Sequence, residues 1–340
     1  PTGTTPTAPS DSITYVSGDP VGADGVVTNV LSTTAIGFTA AGLSPNTSYD
    51  FYVYPYSSIS CTNGPAFGSP LMGTTSTAIC PTFSTILKVD PFATPVSGSV
   101  YTTLTAAILE LSGCGVTEPM VIELASNYSS SAETFPIVLR SVSGASSDNT
   151  ITIRPASSVT TSVAITGESS ASQIFNIDGG NYWIIDGRAG GTGTSNNLTI
   201  ENTGILANST SAVRLINGAQ YNVIKYCTLR SSTTSTNSNA VVTFGSSNAL
   251  VGNSFNTVTY CNIDCKVQNV GTSTAGIVSN PTGTSLTDAR FNNSNTITYN
   301  NIYGFYNSTS GSYWGAGILI TNGYNSDWTI SNNSIYQPST

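Results

Sequence analysis

Beyond residue 120 apolar and polar residues alternate with a spacing of two, and the alternation recurs along the chain. One segment appears as Asn222-Val223-Ile224-Lys225-Tyr226-Cys227-Thr228-Leu229, again as Asn256-Thr257-Val258-Thr259-Tyr260-Cys261-Asn262-Ile263, and again as Asn295-Thr296-Ile297-Thr298-Tyr299-Asn300-Asn301-Ile302. A fourth copy runs Trp328-Thr329-Ile330-Ser331-Asn332-Asn333-Ser334-Ile335. Ile224, Val258, Ile297 and Ile330 are then equivalent, at separations of 34, 39 and 33 residues. A second apolar strand precedes each copy, at residues 212–215, 240–244, 275–278 and 316–320. Two constant strands and two loops of variable length exclude helical repeats, because β-branched residues and Asn fill a pattern of period two. They also fall short of the four strands that a propeller blade needs. The pattern predicts a solenoid in which each strand pairs with its equivalent in the next coil, about 4.8 Å away.

Stacking puts like residues over like. Cys227, Cys261, Asn300 and Asn333 share one position, where side-chain amides can satisfy one another and the backbone of a tight turn. The two cysteines are expected to be neighbours there, as buried thiols or as a disulfide. Tyr226, Tyr260 and Tyr299 align as an aromatic column, expected to serve coil-to-coil packing.

Upstream the pattern changes twice. Leu104, Ala107, Ile108 and Leu111 fall at i, i+3, i+4 and i+7, which predicts a single helix over 101–114 with Thr102 or Thr103 as its N-cap and Gly113 and Gly115 at its end. It is expected to cap the first coil and cover an otherwise open sheet end. Residues 1–78 instead show short strands between turn residues, at 12–16, 26–30, 35–40 and 49–54, an antiparallel sandwich pattern. Within it Gly42-Leu43-Ser44-Pro45-Asn46-Thr47-Ser48-Tyr49 resembles the fibronectin type III family, where such a segment leads into the penultimate strand. The resemblance covers about 70 residues, so the domain is expected to be incomplete. Residues 79–99, with Cys80-Pro81 and two further prolines, are expected as a linker.

Residues 151–156 (Ile-Thr-Ile-Arg-Pro-Ala) and 174–188, with Asp178-Gly179-Gly180-Asn181 and Asp186-Gly187-Arg188, resemble the right-handed parallel β-helices of Bacteroidota surface proteins. That resemblance extends over roughly residues 42–340. It implies an all-β chain: a partial fibronectin type III-like sandwich followed by a right-handed parallel β-helix over 100–340 that continues beyond Thr340. It further implies an extracellular, cell-surface location, export by the type IX secretion system, and a role in adhesion or gliding motility.

Composition narrows the chemistry. Only 8% of residues are charged and the formal net charge is -8, with nine scattered Lys and Arg. This excludes nucleic acid as a partner, because phosphate binding needs clustered cations. No apolar run reaches the roughly 20 residues of a membrane span. Histidine is absent, which removes Ser-His-Asp and Cys-His nucleophile systems and the commonest metal ligand. The six cysteines lack zinc-site spacing. Asp178, Asp186 and Arg188 form the one tight acid and base constellation, expected to be structural because Asp-Gly supplies turn corners. Asp264 and Asp288 are expected as loop acids, and Asp19 and Asp24 as turn residues that fit no full calcium loop. The sequons and the motif at Asp11-Ser12 carry little weight in a chain so rich in Asn, Ser and Thr.

The binding candidate is the aromatic loop 303–314, with Tyr303, Phe305, Tyr306, Tyr313 and Trp314 among small polar residues, a surface suited to sugar faces or a protein partner. The leading expectation is a non-catalytic adhesin or stalk segment with no cofactor and no metal, whose partner is a cell-surface glycan, a protein receptor or the secretion and motility machinery. The rivals are a polysaccharide-binding or polysaccharide-degrading β-helix, and cargo caught in a secretion complex.

Overall fold

The computed structural model describes all residues except 1–6, 23–24, 29, 31–39, 41–42, 44, 58–64, 78, 169–172, 205–210, 232–239, 247–250, 267–273, 282–289, 306–314, 322 and 338–340. The chain divides into two compact units, Pro1–Cys80 and Pro81–Thr340.

The second unit is a parallel β-helix. A first sheet of nine strands takes in Ile86–Val89, Val100–Tyr101, Met120–Leu124, Ile151–Pro155, Trp183–Asp186, Val223–Lys225, Thr257–Thr259, Thr296–Thr298 and Thr329–Ser331. A second sheet holds Val163–Gly167, Leu198–Asn202, Cys227–Ser231, Asn262–Asp264, Asn301–Tyr303 and Ser334–Tyr336. A third holds Ile137–Leu139, Gln173–Asp178, Ser211–Ile216, Val242–Phe244, Thr274–Ser279 and Gly315–Ile320. Every pairing within these three sheets is parallel. Ile224, Val258, Ile297 and Ile330 lie in direct register, as their repeat predicts. Ile224, Val258 and Ile297 point inward and are buried, within a continuous core whose buried members run from Leu87 to Ile302, while Ile330 in the last coil is exposed.

Polar ladders close the corners. Asn222, Asn256 and Asn295 stack one above another; the Oδ1 of Asn256 and that of Asn295 each accept from both the backbone N–H and the side-chain amide of the Asn in the preceding coil, at 2.9 to 3.1 Å, and Asn222 Oδ1 accepts from the Trp183 N–H at 3.0 Å. The predicted mixed position behaves the same way. Asn300 Oδ1 accepts from the Cys261 N–H at 2.9 Å, and Asn333 Oδ1 accepts from the Asn300 N–H and amide at 2.9 and 3.0 Å. Cys227 and Cys261 are buried free thiols, which decides the open alternative against a disulfide between them. Cys80 and Cys114 are each disulfide-bonded.

Helix α1 spans Leu104–Cys114 and buries the predicted stripe of Leu104, Ala107, Ile108 and Leu111. Thr103 is its N-cap, accepting from the Ala106 N–H, and Gly115 is its C-cap. Glu133 also serves its start, accepting from the N–H groups of Leu104 and Thr105 at 2.6 and 2.9 Å, where the unpaired donors and the helix dipole favour an anion. Residues 79–99 are not a simple linker. Ile86–Val89 has the alternating exposure of a half-buried strand and pairs with residues 121–124 of the first sheet.

In the first unit the described residues form three antiparallel pairs: Pro20–Val21 with Gly25–Val26, Ser48–Val53 with Leu71–Ser76, and Tyr56–Ser57 with Ala66–Phe67. Residues 12–16, expected as a strand, are turn and irregular, while 35–39 lie outside the described residues. Three two-stranded pairs do not amount to a seven-stranded sandwich, so the described residues do not show the fibronectin type III fold expected of 1–78. Among the described residues no helix is long and apolar enough to cross a membrane.

Candidate functional site

The site lies on the outward face of the first sheet. In its later coils the strands shrink to three residues, and each is bracketed by two residues in the left-handed region: Tyr221 and Tyr226, Phe255 and Tyr260, Ser294 and Tyr299, Asp327 and Asn332, all with φ between 53° and 60°. A non-glycine residue there costs about 1 to 2 kcal/mol. The conformation turns the chain sharply at both ends of the strand, so the bracketing side chains rise as two rails along the solenoid.

One rail is Tyr182, Tyr221 and Phe255, with centroids 5.1 and 4.9 Å apart and ring planes within 6° of parallel. The other is Tyr226, Tyr260 and Tyr299, at 4.8 and 4.9 Å and within 3°. Such offset contacts contribute roughly 0.5 to 1.5 kcal/mol each beyond burial, so the rails do stiffen the coils as the sequence predicts. They are also surface: Tyr221, Phe255, Tyr260 and Tyr299 are 43%, 44%, 42% and 50% exposed, so each leaves ring area open to solvent. Each rail ends where a small polar residue takes the next position, Ser294 after Phe255 and Asn332 after Tyr299. No further ring closes either stack among the described residues.

Between the rails the floor is hydroxylated. Thr257, Thr259, Thr296, Thr298, Thr329 and Ser331 occupy the outward positions of three successive strands, and the hydroxyls of Thr259 and Thr298 are 3.2 Å apart. At the other end the floor is charged. Asp186 sits in register with Lys225, and Lys225 with Thr259. Arg188 Nη2 and Nε donate to the two Asp186 oxygens at 2.7 and 2.9 Å, Lys225 Nζ stands 3.4 Å from Asp186 Oδ2, and the Arg188 guanidinium lies 4.7 Å from the Tyr226 ring centre. Burial alone would raise the Asp186 carboxyl; hydrogen bonds from Arg188 and the charges of Lys225 and Arg188 outweigh it and hold the group below its usual range.

A lowered carboxyl stabilises the fold above its ordinary pKa, and that contribution is lost as pH falls through the lowered value. Asp186→Asn should therefore melt below wild type at neutral pH, and the gap in melting temperature should close as pH falls below the ordinary carboxylate range, about pH 4. A gap that stays constant over that fall would show that Asp186 contributes nothing as an anion.

The other predicted residues fall elsewhere. Asp178 pairs with Arg140 at 3.2 Å and accepts from Asn217 at 2.6 Å, so it has a partner set separate from that of Asp186. Asp264 is not a loop acid but ends a strand of the second sheet, in register with Arg230 and Tyr303, with Arg230 Nε 3.5 Å away. Asp288 and Asp24 lie outside the described residues, and Asp19 closes a turn by accepting from the Val16 N–H at 2.7 Å. Of the aromatic loop, Tyr303 is half-buried and stacks on Tyr336 at 5.5 Å, with its phenol raised by burial and by Asp264, and Phe305 packs against the core. Tyr306, Tyr313 and Trp314 lie outside the described residues. The rail of Tyr182, Tyr221 and Phe255 was not singled out by the repeat, although it stands one position before each recurring segment, five residues ahead of the second rail.

No family model matches the chain, and no curated protein matches it. Among solved structures the chain is similar to the pectin methylesterase of Aspergillus niger, at 14% identity and a TM-score of 0.32, over 77% of this chain and 92% of that one. The expectation that the chain is not an enzyme is corrected on this finding, since the β-helix neighbour is itself an enzyme. The physical reason is that a lack of histidine removes only the histidine-dependent routes, while those that run on carboxylates survive it.

Proposed function

We propose that the protein binds polysaccharide along the outward face of its first sheet. The observation that carries this reading is the pair of exposed aromatic rails on either side of a threonine floor. Sugar rings offer an apolar C–H face and a rim of hydroxyls, and a binding surface for them needs aromatic area together with neutral hydrogen-bonding groups. The open ends of the rails, Phe255 and Tyr299, supply ring faces. The floor between them supplies alternating donors and acceptors, and the coil spacing near 5 Å repeats that chemistry along an extended polymer. A rigid solenoid holds all of these groups in place before binding, which limits the ordering cost. On a secreted protein the same face would serve surface attachment.

A glycan array followed by affinity electrophoresis, run beside assays for cleavage and for ester release on the same polymers, tests the reading. Wild type should be retarded by at least one polysaccharide. Phe255→Ala and Tyr299→Ala should each weaken that retardation about tenfold with little change in melting temperature, since loss of a stacking contact worth about 1.4 kcal/mol is tenfold in affinity. Full retention of binding by the double variant would overturn the assignment to this face.

A further inference from the structure

We infer that the polysaccharide is anionic and that Lys225 is the residue that selects it, an inference that rests on the binding face proposed above and names its ligand class. The argument begins with one outward column of the first sheet. Lys88 pairs with Glu123, Glu123 with Arg154, and Asp186 with Lys225, with Asp186 one residue beyond the Ile153–Ile185 pair in register with Arg154. The column thus alternates in sign, Lys88, Glu123, Arg154, Asp186, Lys225, and then turns neutral at Thr259, Thr298 and Ser331. Every earlier cation has a carboxylate of its own: Lys88 is 2.8 Å from Asp90, and Arg154 donates twice to Glu123 at 2.8 and 3.0 Å.

Lys225 is the cation at which this alternation stops. The next coil gives it a threonine where the pattern calls for an acid. Its ion-pair partner among the described residues is Asp186, at 3.4 Å, and that carboxylate already receives the bidentate fork of Arg188. Two cations therefore share one anion, which leaves one positive charge on the floor. Arg188 is committed to Asp186 and to the Tyr226 ring. Lys225 keeps donors to spare, at the junction where the charged column meets the threonine floor and between the two rails. An ammonium is a compact point charge with three rotatable donors, suited to a single anionic oxygen on a ligand lying over Thr259. On a chain of net charge -8 such a locus opposes the general repulsion of a polyanion. The ligand group is a carboxylate, as in a uronic acid, or a sulfate ester.

The test uses the full chain and matched hexasaccharides: β-1,4-glucan, β-1,4-mannan and α-1,4-galactan, each beside its 6-carboxylate and its 6-sulfate. Calorimetry at low salt should show one anionic member bound about tenfold more tightly than its neutral parent, a gap that closes at about 0.5 M NaCl. Which anionic member wins identifies the group. Lys225→Gln should remove the preference, so that within that variant the anionic member binds no more tightly than its neutral parent, and Lys225→Arg should restore part of it. Equal affinity of wild type for neutral and anionic members, or a preference that survives in Lys225→Gln, would overturn this inference and leave the binding face standing. No binding of any member by wild type would overturn both.

Discussion

Ile297→Asp should collapse the later coils of the solenoid. The Ile297 side chain is fully buried, in register between Val258 below and Ile330 above, so a carboxylate there has neither water nor a cation within its surroundings. An unpaired buried charge costs about 4 kcal/mol or more. A solenoid is held by contacts between neighbouring coils, so the loss of one coil also removes the support of the next. Limited proteolysis should find new cuts after residue 257, and the urea midpoint should fall. Thr298→Asp is the paired control. It stands one residue along the same strand on the outward face, where a substitution should stay within about 0.5 to 1 kcal/mol of wild type. Equal damage from both, or none from either, would mean that the alternation of inward and outward residues is misassigned.

That contrast depends on a feature that was legible in the sequence, and the reason is physical. Parallel stacking forces equivalent residues into the same environment, so Ile224, Val258 and Ile297 had to repeat, and so did the Asn residues that close the corners. The α1 stripe was legible for a similar reason, since burial on one face imposes a period. What the sequence concealed is whatever does not repeat. The strand at Ile86–Val89 precedes the recurring segments and sits among prolines, so it read as a linker. Asp264 appeared isolated because its ion pair with Arg230 spans two coils, 34 residues apart in sequence. The first rail is not legible as a repeat because Tyr182, Tyr221, Phe255, Ser294 and Asp327 share a backbone conformation rather than a residue type. The site itself is a consequence of that conformation: left-handed residues at both ends of each short strand lift two rows of side chains off one sheet.

Asn256→Leu should be the most damaging change at the corners, although it replaces a polar residue in the interior with an apolar one of similar size. Asn256 Oδ1 accepts from the Asn222 N–H at 3.0 Å and from its amide at 2.9 Å, while Nδ2 donates to the Ala219 carbonyl at 2.9 Å and to Asn295 Oδ1 at 3.1 Å. Leucine would orphan the Asn222 N–H and the Ala219 carbonyl, both at a corner that turns too sharply for sheet pairing to reclaim them. Each buried unsatisfied group costs about 1 to 3 kcal/mol, so the pair should cost about 3 kcal/mol or more. Asn256→Asp separates the two halves of this role. An ionised carboxylate can still accept from Asn222 but places oxygen against the oxygens of Ala219 and Asn295. Protonation supplies one donor and relieves that contact, so the folded-state pKa of the new acid is raised. Its stability should therefore lie well below wild type at neutral pH and recover toward it as pH falls through the raised value, the opposite of the trend expected for Asp186. Urea unfolding of the three proteins at neutral and acid pH measures this directly. If leucine is tolerated, or if the aspartate variant weakens further in acid, the ladder is decoration on a core that holds the coils without it; the four bonds at this one side chain argue that it is instead what lets a sheet of three-residue strands turn and continue.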